Sequence, residues 1–341
     1  MRCLKNCTGR NPTISFACIY TAMTKEPLVS ILLPTFNRAH LLPRAIASVL
    51  DQTYQNWELL IWNDGSTDDT EQVLQALTDP RIRTFNDINH GKPYALNQAY
   101  ANAHGDLIAF LDDDDEWLPD KLGIQIMFLQ ENPDVDLCFG NFRNIDKATS
   151  QETLGFMQSC AGIKKLVTIT TSHEFKLISD GWLEGIGTDN FIATDTVILR
   201  KVFFDRVGLF NEGLQNSEDF EFWWRAGLAG VRAAYTDEIL LIRNKYPGSL
   251  SSTGIFTLTI TLRALDACKE ASHRAGREET VHFLRPAYGN LWQNLIKAYG
   301  QVGDISSAFR AFISAAQYGV NPGSFRLILG AFLHSLGQRL K

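Results

Sequence analysis

Apolar segments with strand character alternate with amphipathic helical segments between residue 28 and about residue 140. The predicted strands are Leu28–Leu33, Trp57–Trp62, Arg81–Phe85, Leu107–Leu111 and Val135–Phe139. Strand–helix repeats with short turns favour a parallel sheet, because each connection must cross back over the sheet through a helix. We therefore expect an α/β fold with a doubly wound, mostly parallel sheet flanked by helices.

The charged and polar residues of this half collect where the predicted strands end, at 35–38, 63–68, 89–93 and 112–117. The acidic run Asp112–Glu116 places five carboxylates side by side. Such like charges repel one another unless a cation neutralises them. Ligands of open α/β sheets bind in the crevice at the carboxyl ends of the strands. We interpret the acidic run as a divalent-metal site for an anionic substrate; the alternative is an acidic surface loop.

The composition excludes several classes of protein. The chain has 341 residues, of which 45% are hydrophobic, so it can bury a full core. A net charge of −6 gives no reason to expect nucleic-acid binding. The six cysteines show no metal-ligand pairing and fit a reducing compartment better than a disulfide framework. No apolar run reaches the length of a membrane span.

The second half of the chain is less regular. Residues 141–190 show few clear periods, and Phe191–Leu199 is strand-like. Ser217 is predicted to cap a helix that starts with Glu218 and Asp219. Two short strands follow, and after Pro247 the pattern is helical. We predict a disordered extension over 1–27, a catalytic domain over 28–250 and a helical C-terminal extension over 251–341, with helices at 258–274, 281–299, 305–318 and 324–340.

Four motifs resemble the signatures of family 2 glycosyltransferases, which are inverting enzymes with the GT-A fold. They are Val29–Asn37, Asn63–Asp68, Leu111–Trp117 and Glu218–Asp219, in the order and spacing of that family. The resemblance covers roughly residues 28–245. It implies transfer of a sugar from a nucleotide-sugar donor, expected to be a UDP-sugar, to a hydroxyl of a saccharide or lipid-linked acceptor. It also implies a role in surface polysaccharide or glycoconjugate synthesis.

The resemblance assigns donor-side roles. It implies that Asp64 accepts hydrogen bonds from the base, which suits an acceptor-only carboxylate. Pro34, Thr35 and Asn37 would line the same pocket. Lys92, like Arg38, is a candidate for contact with the diphosphate, with a solvated loop charge as the alternative.

The D-x-D pair implied by the resemblance is Asp112 and Asp114. Asp114, with Asp112, would bind Mn²⁺ or Mg²⁺, which prefer oxygen ligands and act as Lewis acids on the leaving diphosphate. Asp113 departs from the small residue that is commonest at this position and is placed on the donor side. Its presence leaves open which of the adjacent acids is the metal ligand.

The resemblance makes Asp219 the candidate base, because an inverting transferase needs one carboxylate to deprotonate the acceptor hydroxyl. Glu218 is expected to position the acceptor or to cap the helix. Trp223 is placed on the acceptor side, where an indole can stack on a sugar, with core packing as the alternative. For Trp117 we favour core packing. Thr194–Thr196 is a weaker candidate for the acceptor side.

Two other functions compete with this interpretation. A sugar nucleotidyltransferase shares the sheet and the acidic pair, but it opens with a glycine-rich basic loop where this chain has Pro34–Asn37. A non-catalytic nucleotide-sugar-binding module would lack the carboxylates that this chain retains. We expect a cytoplasmic protein. The basic C-terminal tail, with its apolar segment Phe325–Leu333, would suit peripheral contact with the inner face of the membrane, although packing on the catalytic domain is favoured.

Overall fold

A computed structural model describes residues 26–171, 173–246 and 254–318 of the chain. Within these residues eleven strands form one sheet in the order β3-β2-β1-β4-β10-β6-β11-β9-β8, with β5 paired to β11 and β7 to β6. The strands are β1 Val29–Thr35, β2 Trp57–Asp64, β3 Ile82–Asp87, β4 Leu107–Phe110, β5 Glu116–Trp117, β6 Leu137–Asp146, β7 Glu152–Thr153, β8 Val167–Thr170, β9 Lys176–Asp180, β10 Ile198–Arg200 and β11 Ala233–Lys245.

The predicted parallel sheet is confirmed. Strands β3, β2, β1 and β4 are parallel neighbours, and β6 and β11 are parallel to each other. Strand β10 runs antiparallel between β4 and β6, and β5, β7 and β9 are also antiparallel to the strands β11, β6 and β11, which makes the sheet mixed. The carboxyl ends of the parallel strands therefore share one edge, as the placement of the polar loops requires.

Helices cover both faces of the sheet. They are α1 Leu42–Leu50, α2 Thr70–Gln75, α3 Lys92–Ala101, α4 Lys121–Glu131, α5 Phe156–Ser159, α6 Trp182–Thr188, α7 Phe203–Val207, α8 Glu218–Leu228, α9 Ile255–Arg274, α10 Arg285–Gln301 and α11 Ile305–Ala316. On β1, Ile31 and Leu33 pack in one core with α1 and α4, whereas Leu32 packs in the other with α3 and α8. A strand buried on both faces explains the unbroken apolar sequence of β1.

The structure corrects the prediction for Phe191–Leu199. Only Ile198 and Leu199 of this segment belong to a strand, and Thr194–Thr196 forms a 3-10 turn closed by the hydrogen bond from the Thr196 amide to the Ala193 carbonyl. The turn points the Asp195 carboxylate inward, where it accepts a hydrogen bond from the Asp112 amide. The hydrogen bond satisfies a carboxylate that is buried, since an unpaired buried polar group costs free energy.

Two further expectations need adjustment. The two predicted short strands after residue 232 are one strand, β11, with irregular register between Tyr235 and Leu241. Ser217 occupies the N-cap position of α8, but its φ is 60° and its side chain makes no capping hydrogen bond.

The helical C-terminal region shares a core with the sheet. Leu258, Leu265 and Cys268 of α9 pack in the same cluster as Trp224 of α8. The Trp224 indole also donates to the Ser272 hydroxyl at 3.1 Å. The predicted domain boundary near residue 250 stays a prediction, because residues 247–253 lie outside the described part. The predicted extension over 1–27 lies outside it up to residue 25, and the predicted helix at 324–340 lies outside it as well.

Across the described ranges, we find no helix with the length and apolar character needed to cross a bilayer.

Candidate active site

Two loops at the carboxyl ends of β1 and β2 are joined through Asn37. Its backbone amide donates to the Ser66 hydroxyl at 2.9 Å, and its side-chain oxygen accepts from the Thr67 amide at 2.7 Å. Asn37 has a φ of 55°, a left-handed conformation that asparagine tolerates better than most residues. The residue predicted to line the donor pocket therefore fixes the shape of the loop that would form it.

Asp64 joins the second loop to the third. Its carboxylate is 3% exposed, and its two oxygens accept the backbone amides of His90 and Gly91, each at 2.8 Å. Each carboxylate oxygen retains a second lone pair, so these bonds leave Asp64 able to accept from a ligand. Its predicted contact with the base stays a prediction.

The acidic run is divided among partners from three other segments of the chain. Asp112 lies 2.6 Å from the Lys92 ammonium, and Asp114 lies 2.6 Å from the Arg38 guanidinium. Asp113 accepts the Thr35 hydroxyl at 2.7 Å. The remaining two acids contact β11: Asp115 accepts the Asn244 amide at 2.9 Å, and Glu116 accepts the Asn244 side-chain amide at 3.0 Å. The self-repulsion expected from the sequence is thus reduced within the chain itself.

Burial changes the protonation of two acids within the run and of Asp195 beneath it. Burial, together with the charges of Asp112 and Asp114, raises the pKa of Asp113 to about 7, against the hydrogen bond from Thr35. Burial and the Asp112 carboxylate likewise raise the pKa of Asp195 to about 7. The pKa of Asp115, hydrogen-bonded to Asp195, is raised well above its usual range by burial and by that neighbour. Near neutral pH this cluster therefore holds protons that a bound cation would displace.

Lys92 connects the acidic run to α8. It opens α3, and its ammonium lies 3.7 Å from the Glu218 carboxylate as well as against Asp112. Burial opposes its charged form, but Asp112, Glu218 and Asp195 raise the pKa of Lys92 well above the usual range. The lysine therefore stays charged and links the acidic run to the start of α8.

The two acids at the start of α8 differ in environment. Glu218 is 7% exposed, and burial, with repulsion from Asp219 and Asp112, raises its pKa to about 7 despite Lys92. Asp219 is partly exposed. It accepts the Asn190 side-chain amide at 2.9 Å and the Phe220 backbone amide at 2.7 Å. Of the two, Asp219 is the one that is open to the crevice.

The prediction that Trp223 lies on the acceptor side is wrong. Its side chain is fully buried in the core, where it packs edge-on against Phe222, and its backbone carbonyl accepts the Trp182 indole at 2.9 Å. Trp117 is 3% exposed, as core packing predicts, and its indole donates to the Asp195 carbonyl at 2.9 Å.

Sequence reasoning missed or misplaced several residues of the site. Asn190, which orients Asp219, carries no motif and lies in the segment with the weakest periodicity. Asp195 was expected on the acceptor side but lies beneath the acidic run. An aspartate inside an apolar segment was the available signal for its burial. Arg243 and Asn244 of β11 come close to the acidic run only through strand pairing with Glu116–Trp117.

The D-x-D residues fit a divalent cation of the predicted kind. Across the described ranges, no three His, Cys, Asp or Glu side chains gather as a closed metal site. Mg²⁺ and Mn²⁺ sites that serve phosphate substrates do not need one, because one or two carboxylates, phosphate oxygens and water complete the shell. The side chains of Asp112 and Asp114 are 32% and 19% exposed, so hard oxygen ligands face the crevice.

Comparison with known proteins agrees with this arrangement. The sequence model described as "Glycosyl transferase family 2" matches residues 30–199. A protein of Rickettsia felis named as an uncharacterized glycosyltransferase is 30% identical over 232 residues, 67% of this chain and 36% of its own. WfgD of Escherichia coli, named as UDP-Glc:alpha-D-GlcNAc-diphosphoundecaprenol beta-1,3-glucosyltransferase, is 41% identical over 120 residues, 35% of this chain and 47% of its own.

A solved structure with a similar fold is the mannosyltransferase PcManGT of Pyrobaculum calidifontis, in complex with GDP-Man and Mn²⁺. It is 16% identical, covers 92% of this chain and 88% of its own, and superposes with a TM-score of 0.57. The chain belongs to glycosyl transferase family 2 and has the GT-A fold. It spans less than half the length of the two curated relatives described above, so the activity of the whole protein is a matter for proposal.

Proposed function

We propose that this protein is an inverting glycosyltransferase that moves a sugar from a UDP-sugar to a hydroxyl of a saccharide or lipid-linked acceptor. The observation that carries the proposal is the contact of one ammonium, that of Lys92, with both Asp112 and Glu218. This shared contact supports a common site, because the D-x-D acids and the start of α8 flank the same ammonium. A donor on one side and an acceptor on the other would meet between them.

The residues have separate roles in the proposed reaction. Asp219 takes the proton of the acceptor hydroxyl while that oxygen bonds to the anomeric carbon of the donor. The bond from that carbon to the diphosphate breaks, and its electron pair leaves with the phosphate oxygen. Asp114 with Asp112 would hold Mn²⁺ or Mg²⁺, which supplies Lewis-acid stabilisation of the departing diphosphate when bound. Asp64 would accept a hydrogen bond from the base, and Lys92 would contact the diphosphate.

The choice of substrates rests on the relatives. WfgD is named for UDP-Glc and a diphosphoundecaprenol-linked acceptor. PcManGT is named for GDP-Man, but its lower identity supports the fold and not the nucleotide. We therefore propose a UDP-sugar and a lipid-linked acceptor, in polysaccharide synthesis. Peripheral membrane contact through residues 324–341 stays a prediction, which liposome binding with and without these residues would test.

The experiment compares three variants with the wild type. Asp219→Asn should lower the transfer rate by about 10²–10⁴-fold, because an amide cannot take the proton. It should leave the UDP affinity within about twofold. Asp205→Asn makes the same chemical change at an exposed position of α7 and should transfer at the wild-type rate. Glu218→Gln tests whether the neighbouring acid carries the reaction instead.

The outcomes separate the competing functions. Loss of transfer in Glu218→Gln with retained transfer in Asp219→Asn would move the base role to Glu218. Metal-dependent formation of UDP-sugar and pyrophosphate from a sugar phosphate and UTP would identify a nucleotidyltransferase. Binding of nucleotide sugars without turnover, in the presence of Mn²⁺ and candidate acceptors, would identify a binding module.

A further inference from the structure

Arg243 is a cation of the crevice that neither the motifs nor the proposed mechanism uses. It lies near the carboxyl end of β11, next to Asn244, whose side-chain amide donates to the Asp114 carbonyl at 2.8 Å. The preceding residue, Ile242, is in register with Glu116. The strand therefore places Arg243 beside the acidic run.

The charge on Arg243 interacts with carboxylates of the acidic run and of α8. Burial disfavours the charged guanidinium and would lower the pKa of Arg243. The nearby carboxylates outweigh burial and raise this pKa; they belong to Asp115, Asp195, Asp112 and Asp219. This set includes an acid of the D-x-D pair and the candidate base. Arg243 is thus within electrostatic reach of both the group that would hold the donor and the group that would activate the acceptor.

The hydrogen-bond donors of Arg243 are unused within residues 26–171, 173–246 and 254–318. Its guanidinium has no hydrogen bond and no carboxylate within 4 Å there, and it lies 5.8 Å from the centre of the Phe142 ring. Three other cations at the acidic run are engaged, Arg38 with Asp114, Lys92 with Asp112 and Arg44 with Glu116. A partly buried arginine with five free donors is suited to a planar, multivalent anion.

We propose that Arg243 binds the phosphate oxygens of a diphosphate group in the crevice between the acidic run and Asp219. The inference rests on the proposed function, which supplies a diphosphate from two sources. One is the leaving diphosphate of the donor, and the other is the diphosphate of a lipid-linked acceptor. Arginine matches two phosphate oxygens at once, whereas lysine offers a point charge.

The test measures UDP binding by calorimetry in the presence of Mn²⁺. Arg243→Gln should raise the UDP Kd at least tenfold, and Arg243→Lys should raise it several-fold, because the charge remains and the paired contact is lost. The matched control is Arg232→Gln at the other end of β11, where Arg232 pairs with Asp134 and both side chains are more than half exposed. This control should leave the UDP Kd unchanged.

The second arm varies a polyprenyl-diphosphate-linked sugar in steady-state transfer. A tenfold rise of its KM in Arg243→Gln, with an unchanged UDP Kd, assigns the contact to the acceptor diphosphate. Unchanged values of both constants overturn the inference. Should Arg243→Gln fail to unfold cooperatively, Arg243→Lys decides on the same two constants. If the wild type binds neither UDP nor GDP, the proposed function itself is refuted. If wild type and variant bind UDP equally, only the inference on Arg243 is affected.

Discussion

At the scale of single residues, the ionised form of Asp113 in the acidic run destabilises the fold at the place where a ligand is expected. Asp113 is 9% exposed, and its pKa is raised from 3.8 to about 7 by burial and by its acidic neighbours. The native state therefore binds a proton that the unfolded state has lost between these two pH values. Stability falls as the pH rises through this window, because unfolding then releases a proton.

Asp113→Asn should remove this penalty. At pH 8 the variant should unfold at a temperature several degrees above the metal-free wild type, and at pH 4 the difference should vanish. At about 1.4 kcal/mol for each pKa unit, the effect is limited to about 4 kcal/mol. Thermal unfolding in EDTA measures it, with Asp106→Asn, an exposed acid before β4, as the control. A gain in Asp113→Asn that is independent of pH would contradict this explanation.

The sequence identifies the carboxylates of this site but not their partners. Asp112, Asp114, Asp64 and Asp219 stand in recognisable motifs at strand and helix ends. Their contacts come from residues that are 20 to 130 positions away in the chain, such as Lys92 and Asn244. A pairing of that kind depends on sheet register and loop conformation, which no local pattern encodes.

At the scale of elements, α8 must be held firmly because it carries Glu218 and Asp219. It packs against α6 through Gly227, where an added Cβ would lie 2.3 Å from the Trp182 ring and 2.7 Å from Leu183. The Trp182 indole cannot retreat freely, since it donates to the Trp223 carbonyl. The apolar character of Trp223, which suggested stacking on a sugar, thus serves the packing of this helix.

Gly227→Ala should destabilise the protein by about 1–3 kcal/mol through overpacking and lower the rate of transfer by displacing α8. The matched control is Gly289→Ala in α10, where an added Cβ meets nothing within 4 Å. That change should be neutral or should stabilise by about 0.5–1 kcal/mol, because alanine restricts the unfolded chain more than glycine does. Chemical denaturation and the transfer assay give both readouts. An equal free energy of unfolding for Gly227→Ala and the wild type would show that α6 and α8 can move apart without destabilising the protein.

The same scale explains which elements the sequence predicts well. Strands β1, β2 and β4 are buried on both faces and are recognised as continuous apolar segments. Phe191–Leu199 is also largely apolar but folds as a turn and a short strand, and the turn lets Asp195 accept the Asp112 amide. A tertiary hydrogen bond overrides the local preference there.

At the scale of the whole molecule, the helices after residue 254 complete the core on one face of the sheet. Leu258, Leu265 and Cys268 are at most 7% exposed, and they cover Phe222 and Trp224 of α8. Fully burying a leucine-sized side chain stabilises by about 1.5–3 kcal/mol, so the loss of several contacts of this size rivals the net stability of a domain. We therefore infer that these helices and the sheet unfold together.

A chain ending at residue 246 should lose cooperative unfolding, whereas a chain ending at residue 318 should keep a single transition, since it retains every contact described above. Calorimetry distinguishes the two through the ratio of calorimetric to van't Hoff enthalpy. A cooperative transition at the wild-type temperature in the shorter chain would mean that the sheet domain is independent and the helices are a true appendage. The position of α9 against α8 argues for the opposite result: removing it exposes the helix that carries Asp219, so the shorter chain should lose UDP-sugar turnover together with its fold.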